Sequence, residues 1–148
     1  MIFPASASWV LVLALASALV ARAASPEVLF VATPVTSGGF TGGIEGPACD
    51  RKGDLYCVSY QDIRNIARMT PKGAVEVFLT LPEGSAGNGI RFGADGSMFI
   101  ADYTGHNVLR VLPGTREVTV FAHNPAMNQP NDLAIASDGT LYASQITF

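Results

Sequence analysis

The sequence has few of the residues on which disulfide-rich, thiolate-metal and nucleic-acid-binding proteins depend. Its 148 residues include two cysteines, two histidines and one tryptophan. Two cysteines cannot supply the three or four ligands of a thiolate zinc site. Nine basic residues stand against twelve acidic ones, a net charge of −3 without a basic run, which argues against nucleic acid as a partner. The sequence also contains no G-x-S-x-G or Walker motif, the signatures of serine hydrolases and P-loop proteins.

Long apolar runs are also scarce, and the one present, Trp9–Ala21, has 13 residues. It is too short to span a bilayer and fits the apolar core of a secretory signal. Ala21-Arg22-Ala23 follows with the small-x-small pattern of a cleavage site. We therefore predict a signal peptide over residues 1–23 and an exported protein, periplasmic or secreted, that leaves the membrane after cleavage. No Lys or Arg precedes the run, so an uncleaved anchor or a misassigned start is the alternative.

Both cysteines, Cys49 and Cys57, follow this segment, where export would permit a disulfide. They flank a predicted hairpin turn at Asp50–Gly53, whose register would place Cys49 roughly opposite Asp54. Cys57 then lies three positions further along its strand, too far for good bridge geometry. We expect two small buried apolar side chains and no disulfide.

After residues 24–44, a leading segment or outer strand, the chain is dominated by a 43-residue repeat. Its copies begin at Glu45, Asn88 and Asn131. Eight residues after each start comes a glycine that ends a turn, and an apolar pair follows two residues later. Such turns between apolar runs predict hairpins, since glycine readily takes the positive φ that closes them. The turns read DRKG, GADG and ASDG, ending at Gly53, Gly96 and Gly139.

Each full repeat predicts four short antiparallel strands and no helix. Four such strands in about 43 residues are the signature of a β-propeller blade. The predicted fold class is all-β, with residues 45–148 forming about two and a half four-stranded propeller blades. The predicted strands are Gly46–Cys49, Leu55–Ser59, Ile66–Met69 and Val75–Leu79 in the first blade, Gly89–Phe92, Met98–Asp102, Val108–Val111 and Val118–Ala122 in the second, and Asp132–Ile135 and Leu141–Ser144 in the third.

A propeller closes with about four to eight blades, more than this sequence supplies. We expect the sequence to be the N-terminal fragment of a longer protein, with self-assembly of half-propellers into a ring as the alternative. Either arrangement would cover the edge strand and the apolar blade face that an open stack exposes.

The first residues of the innermost strands converge at one mouth of a propeller's channel. Here they are Glu45, Asn88 and Asn131, one carboxylate and two amides. Hard oxygen ligands of this kind suit Ca²⁺, Mg²⁺ or Mn²⁺, so the repeat geometry suggests a divalent-cation site. The alternative is that these side chains satisfy backbone N–H groups at the strand ends.

Three other polar residues fit structural roles better than catalytic ones. Asp102 opens a loop, Asp102–Asn107, that resembles the D-x-G-N-H-R loop of NHL-repeat propellers. We expect Asp102 to fix this turn through backbone N–H groups. His106 and His123 are isolated, and we expect both on solvated loops.

The openings of the three blades together resemble the senescence-marker-protein/gluconolactonase/luciferin-regenerating (SGL) family of six-bladed β-propellers. The likeness covers residues 40–148. The residues that carry it are Glu45-Gly46-Pro47, Asn88-Gly89-Ile90, Pro130-Asn131-Asp132 and Ser137-Asp138-Gly139.

By this resemblance Glu45 and Asn131 are metal ligands, and Asn88 and Asn131 are substrate contacts. The expected cofactor is a divalent cation, Ca²⁺ first, with Mg²⁺, Mn²⁺ or Zn²⁺ as alternatives. Gln145 departs from the family pattern, because many members carry an Asp there.

The implied function is metal-dependent hydrolysis of a small molecule, a sugar lactone or similar ester. The cation would polarise the lactone carbonyl while water attacks, and the catalytic base would come from a later blade. Two other interpretations stay open. A non-catalytic NHL-like propeller would bind a protein or glycan and would not need an acidic residue at position 45. The remnant of a truncated gene would bind no metal.

Overall fold

The computed structural model describes residues 32–34, 38–42 and 44–146. Of these, the residues from Pro34 onward belong to one compact unit. The predicted signal peptide lies outside the described residues. Within the described ranges, every regular element is a β-strand, and no helix there is long and apolar enough to cross a membrane.

The described residues form three antiparallel sheets, two of four strands and one hairpin. Within each sheet the strands lie side by side in chain order. The first sheet contains β1 (Ala48–Cys49), β2 (Leu55–Cys57), β3 (Asn65–Met69) and β4 (Val75–Thr80); the second contains β5 (Gly87–Phe92), β6 (Met98–Asp102), β7 (Asn107–Val111) and β8 (Val118–His123); the hairpin contains β9 (Pro130–Ile135) and β10 (Leu141–Gln145).

These bounds confirm the all-β class and the four-strand pattern of each full repeat. Four strand ends differ from the prediction by two residues: β5 and β9 begin earlier than predicted, whereas β1 begins later and β2 ends earlier. Gly46 and Ser59 have φ angles of 58° and 62°, in the left-handed region, so the backbone there leaves the extended form that a strand needs. The turn glycines behave as predicted, with φ of 84° at Gly53 and 85° at Gly96.

The main hydrophobic core lies between the first two sheets. Each sheet contributes one face, so the blades stack on apolar side chains rather than through hydrogen bonds. A smaller cluster of Ala101, Val108 and Leu133 joins the second sheet to the hairpin. The main cluster consists of Tyr56, Val58, Ile66, Leu79 and Leu81 from the first repeat and Ile90, Met98, Ile100, Leu109 and Val111 from the second.

Both cysteines are free thiols, as expected, but their predicted burial is wrong. Cys49 is exposed and Cys57 half-buried, because β1 is a two-residue strand at the edge of its sheet. The turn is also longer than predicted, so Cys49 pairs with Leu55 rather than Asp54. Burial, and secondarily Cys49, raise the pKa of the Cys57 thiol.

Candidate functional site

A cavity of about 240 Å³ lies where the three inner strands begin. Glu45, Asn88 and Asn131 all line it, so the structure brings the three repeat starts together as the geometry of a propeller predicts. They are far apart in sequence and share one pocket only because β5 packs against both β1 and β9. The remaining lining residues are Gly42, Ser59, Ile63, Ala86, Gly87, Tyr103 and Ile146.

Glycines after the first two of these residues allow the inner strands to approach closely. A Cβ on Gly46 would collide with the backbone oxygen of Asn88. A Cβ on Gly89 would lie 2.7 Å from the Cα of Asp132, closer than nonbonded carbons pack. Because these two glycines have no side chain, neighbouring inner strands can lie close enough together to share the cavity.

Asn88 is the most buried of the three polar residues, at 9% exposure. Its Oδ1 is buried and has no hydrogen-bond partner among the described residues. The alternative that this oxygen satisfies a backbone N–H at a strand end is therefore wrong within that part of the chain. Leaving such an acceptor unpaired costs roughly 1–3 kcal/mol, which a bound cation or a ligand donor would recover.

The donor set around the cavity fits a hard divalent cation. Glu45 is exposed at the cavity and Asn131 is half-buried, so one carboxylate and two amide groups face the same space. Among the described residues, no group of three or more His, Cys, Asp or Glu side chains could hold a metal. A cation here would therefore depend on amide oxygens as well as Glu45, which suits Ca²⁺ or Mg²⁺ better than a thiolate-seeking ion.

Two polar residues at this cavity were missed by the sequence analysis. Ser59 is 2% exposed and has the left-handed φ of 62°, a conformation that is uncommon outside glycine and often found near functional sites. Tyr103 donates its hydroxyl to Gln129 Oε1 at 2.9 Å. Ser59 does not recur at its place in the other repeats, whereas Tyr103 corresponds to Tyr60 of the first repeat. The repeat pattern therefore gave a signal for the tyrosine but none for the serine.

Asp102 has the structural role that its loop predicts. It is fully buried, and its carboxylate accepts a hydrogen bond from the Gly105 N–H at 3.1 Å, which fixes the turn. Three further donors surround it: the Ser85 hydroxyl, the Ala86 N–H and the Asn107 amide. With both oxygens occupied, this carboxylate stabilises the second blade.

The expectation of solvated loop histidines is only partly right. His106 is half-buried, with Nδ1 2.7 Å from the Met127 carbonyl oxygen. His123 is exposed but is the last residue of β8, with Nδ1 2.8 Å from Asn107 Oδ1. Gln145, the departure from the family pattern, accepts from the Asn128 N–H at 3.2 Å.

Four-stranded antiparallel sheets that repeat every 43 residues, stack on apolar faces and open a pocket where their inner strands begin define a β-propeller. Comparison with known sequences gives the group within that class. The chain belongs to the SMP-30/gluconolactonase/LRE-like family, whose sequence profile matches residues 44–148.

One similar protein is a gluconolactonase of Zymomonas mobilis, 29% identical over 113 residues. The match covers 66% of this chain and 32% of that protein. This chain therefore spans about a third of the length of the relative.

Solved structures show the same fold. A gluconolactonase from Xanthomonas campestris superposes with a TM-score of 0.63 at 20% identity, covering 72% of this chain and 36% of that one. A virginiamycin B lyase from Staphylococcus aureus, solved with quinupristin, gives a TM-score of 0.59 at 21% identity, covering 69% and 34%. At such identities the likeness defines the propeller and leaves the reaction to the site residues.

Proposed function

We propose that this chain contributes the first axial residues of a metal-dependent hydrolase acting on a sugar lactone or similar ester. The observation that carries the proposal is the convergence of Glu45, Asn88 and Asn131 on one cavity, with Asn88 Oδ1 buried there and unpaired among the described residues. The family and its gluconolactonase relatives support the lactonase class. We further propose that the ring has six blades and that the protein is exported.

In this proposal Glu45 and Asn131 hold a divalent cation, with Ca²⁺ as the expected ion and Mg²⁺, Mn²⁺ or Zn²⁺ as alternatives. The chemistry that such an ion supplies is polarisation of the lactone carbonyl. Asn88 and Asn131 each offer an amide that can accept from or donate to sugar hydroxyls, which would orient the ring. We assign no catalytic base to the described residues, and we propose that later blades supply it together with further ligands.

Calcium titration tests the cation site. We expect the full-length protein, with the later blades that the proposal requires, to bind Ca²⁺ in calorimetry and its Glu45→Gln variant to bind at least about tenfold more weakly, because the substitution removes the carboxylate charge and keeps the shape. Glu117→Gln is the matched control: Glu117 is exposed in the β7–β8 loop and does not line the cavity.

Equal Ca²⁺ affinity in wild type and Glu45→Gln would remove Glu45 from the site. Hydrolysis of δ-gluconolactone by the full-length protein, followed by acid release with and without EDTA, then tests the reaction separately. Metal-free protein that hydrolyses the lactone at the same rate would contradict the role of the cation. Absence of both metal binding and hydrolysis would favour the non-catalytic propeller.

A further inference from the structure

A second and larger cavity lies at the opposite end of the inner strands. Its volume is about 700 Å³, within the range of small-molecule sites. It opens between the first two blades, at the Asp50–Asp54 turn of one and the Gly93–Gly96 turn of the other. Because β5 begins at the axial cavity and ends at this one, the two cavities are separate.

Three aromatic side chains line this cavity: Tyr56, Phe78 and Phe92. Tyr56 contacts Phe92 of the next blade, with ring centroids 5.2 Å apart, and Phe78 of its own blade, at 5.1 Å. Arg116 places its guanidinium 5.1 Å from the centre of the Phe78 ring. A flat apolar ligand would therefore meet ring faces and edges, which aromatic groups favour as neighbours.

Four polar residues that line the cavity differ from their counterparts in the second repeat. At the positions 43 residues later, Arg51, Lys52, Asp54 and Tyr56 correspond to Ala94, Asp95, Ser97 and Phe99. The second blade folds with those smaller or oppositely charged residues, so propeller packing does not require the polar set of the first blade. All four departures line the same cavity.

Some of the charged side chains around the cavity lie close to a group of opposite charge. Arg68 lies 2.8 Å from Asp54, and Arg116 lies 3.1 Å from Glu76. Asp50 accepts from the Lys52 and Asp54 N–H groups of its own turn.

The side-chain nitrogens of Arg51 and Lys52, by contrast, have no carboxylate within 4.0 Å among the described residues. The Arg51 guanidinium donates to the Ala94 carbonyl oxygen, at 2.8 Å. Two exposed cations thus line the same cavity as the aromatic rings.

We propose that this inter-blade cavity binds an organic anion with a flat apolar body, an aryl carboxylate. The ring lies against Phe78 and Phe92, and the carboxylate lies between Arg51 and Lys52. Arg51 is suited to this role because a guanidinium can donate two parallel hydrogen bonds to a carboxylate. The site is independent of the axial cavity and of any reaction there.

Titration with 1-naphthoate tests the proposal on the full chain. We expect saturable binding, and at least about tenfold weaker binding in Lys52→Asp, since the substitution installs the residue that the next repeat carries and reverses the charge at that position. Lys72→Asp is the matched control, because Lys72 is exposed in the β3–β4 turn and lies outside the cavity. Its affinity should stay within about twofold of wild type, as should that of Glu45→Gln.

The neutral analogue 1-naphthalenemethanol should bind wild type and Lys52→Asp equally. Arg51→Ala, which installs the alanine found at this position in the next repeat, is the second variant for the naphthoate titration. In the wild-type titration, the methyl resonance of Met98, which lines the cavity, should shift. Three results would overturn the proposal: no saturable binding, equal loss in Lys52→Asp and Lys72→Asp, or loss of naphthoate binding in Glu45→Gln. An unshifted Met98 methyl would place the ligand elsewhere and overturn it as well.

Discussion

The ring of Tyr56 lies edge-on against the ring of Phe78, with centroids 5.1 Å apart and planes at 80°. The next blade repeats this contact between Phe99 and Phe121, at 5.1 Å and 76°. The repeat therefore preserves side-chain packing inside a blade as well as strand order. The two pairs differ in which blade covers them. Arg116 of the second blade lies over Phe78 of the first, whereas the arginine over Phe121 is Arg110 of the same blade, and Phe121 is 48% exposed.

This difference predicts unequal costs for removing the two rings. Phe78→Ala should lower the free energy of unfolding by about 2–3 kcal/mol, since it removes half-buried apolar area and an aromatic pair. Phe121→Ala should cost less than about half of that, because its ring is already largely in contact with water. Urea denaturation of both variants measures the difference, and equal losses would contradict the inter-blade cover.

The Asp54–Arg68 pair is predicted to stabilise the first blade. The charged atoms are 2.8 Å apart but not aligned as a hydrogen bond, and the side chains are 10% and 32% exposed respectively. Asp54→Ser, the residue of the next repeat, should cost about 1–2 kcal/mol, because it leaves a partly buried guanidinium without its closest anion.

The matched control for this pair is Asp62→Ser. Asp62 is 52% exposed in its side chain and lies 3.6 Å from Arg64, so its loss should change stability by less than about 0.5 kcal/mol. A double-mutant cycle of Asp54→Ser with Arg68→Met isolates the pairwise energy. A coupling near zero would show that the buried pair contributes nothing beyond its two side chains.

Tyr56 gives the fold a dependence on alkaline pH. Burial first, and the Asp50 carboxylate second, raise the pKa of Tyr56 to about 12. Because the folded state holds this proton more tightly than the unfolded chain, the stabilisation is complete below about pH 10 and is lost as the pH rises through about 12.

Tyr56→Phe removes the ionisable group and installs the residue of the next repeat. Between about pH 10 and 12, the urea midpoint of wild type should fall more steeply than that of the variant. Phenolate absorbance should show that the variant lacks a tyrosine whose pKa is about 12 in the folded wild type. Parallel midpoints in the two proteins would refute the assigned pKa direction.

Gly46 and Gly73 require glycine for different reasons. Both have positive φ, 58° and 84°, but a Cβ on Gly73 meets nothing within 4 Å, whereas one on Gly46 meets the Asn88 backbone. Gly73→Ala should cost about 1 kcal/mol from its φ alone. Gly46→Ala should cost about 2–4 kcal/mol, because overpacking is added to it. Thermal unfolding of the two variants compares them directly, and equal shifts would argue against close inter-strand contact at Gly46.

Much of the fold follows from the sequence because one signal occurs three times. The turn glycines at Gly53 and Gly96 determine where each hairpin closes, and the apolar pairs after them set which face is buried. The strand ends were harder to predict, since the left-handed φ of Ser59 depends on contacts with another segment: the Ser59 carbonyl oxygen accepts from the Thr41 N–H at 2.9 Å. No local pattern predicts such a contact.

The cavities, like the fold, could be predicted only in part from the sequence. Repeat geometry predicts that Glu45, Asn88 and Asn131 meet, because equivalent residues of successive blades must lie near the same axis. The recurrence of tyrosine at positions 60 and 103 was a signal for Tyr103, but the larger cleft around Arg51 could not be predicted, because it depends on positions at which the repeats differ. Their chemistry is visible only once the blades are placed side by side.

In the first two blades, Gly46 and Gly89 have a different role from the residue that precedes each of them. The residue before each glycine faces the cavity, and the glycine itself sets how near the next strand lies. A chain built by copying such a unit can change the first position from Asn to Glu without disturbing its neighbours, whereas the second position tolerates almost no exchange. Selection can thus alter the chemistry of the pocket one repeat at a time while the spacing of the ring is inherited unchanged.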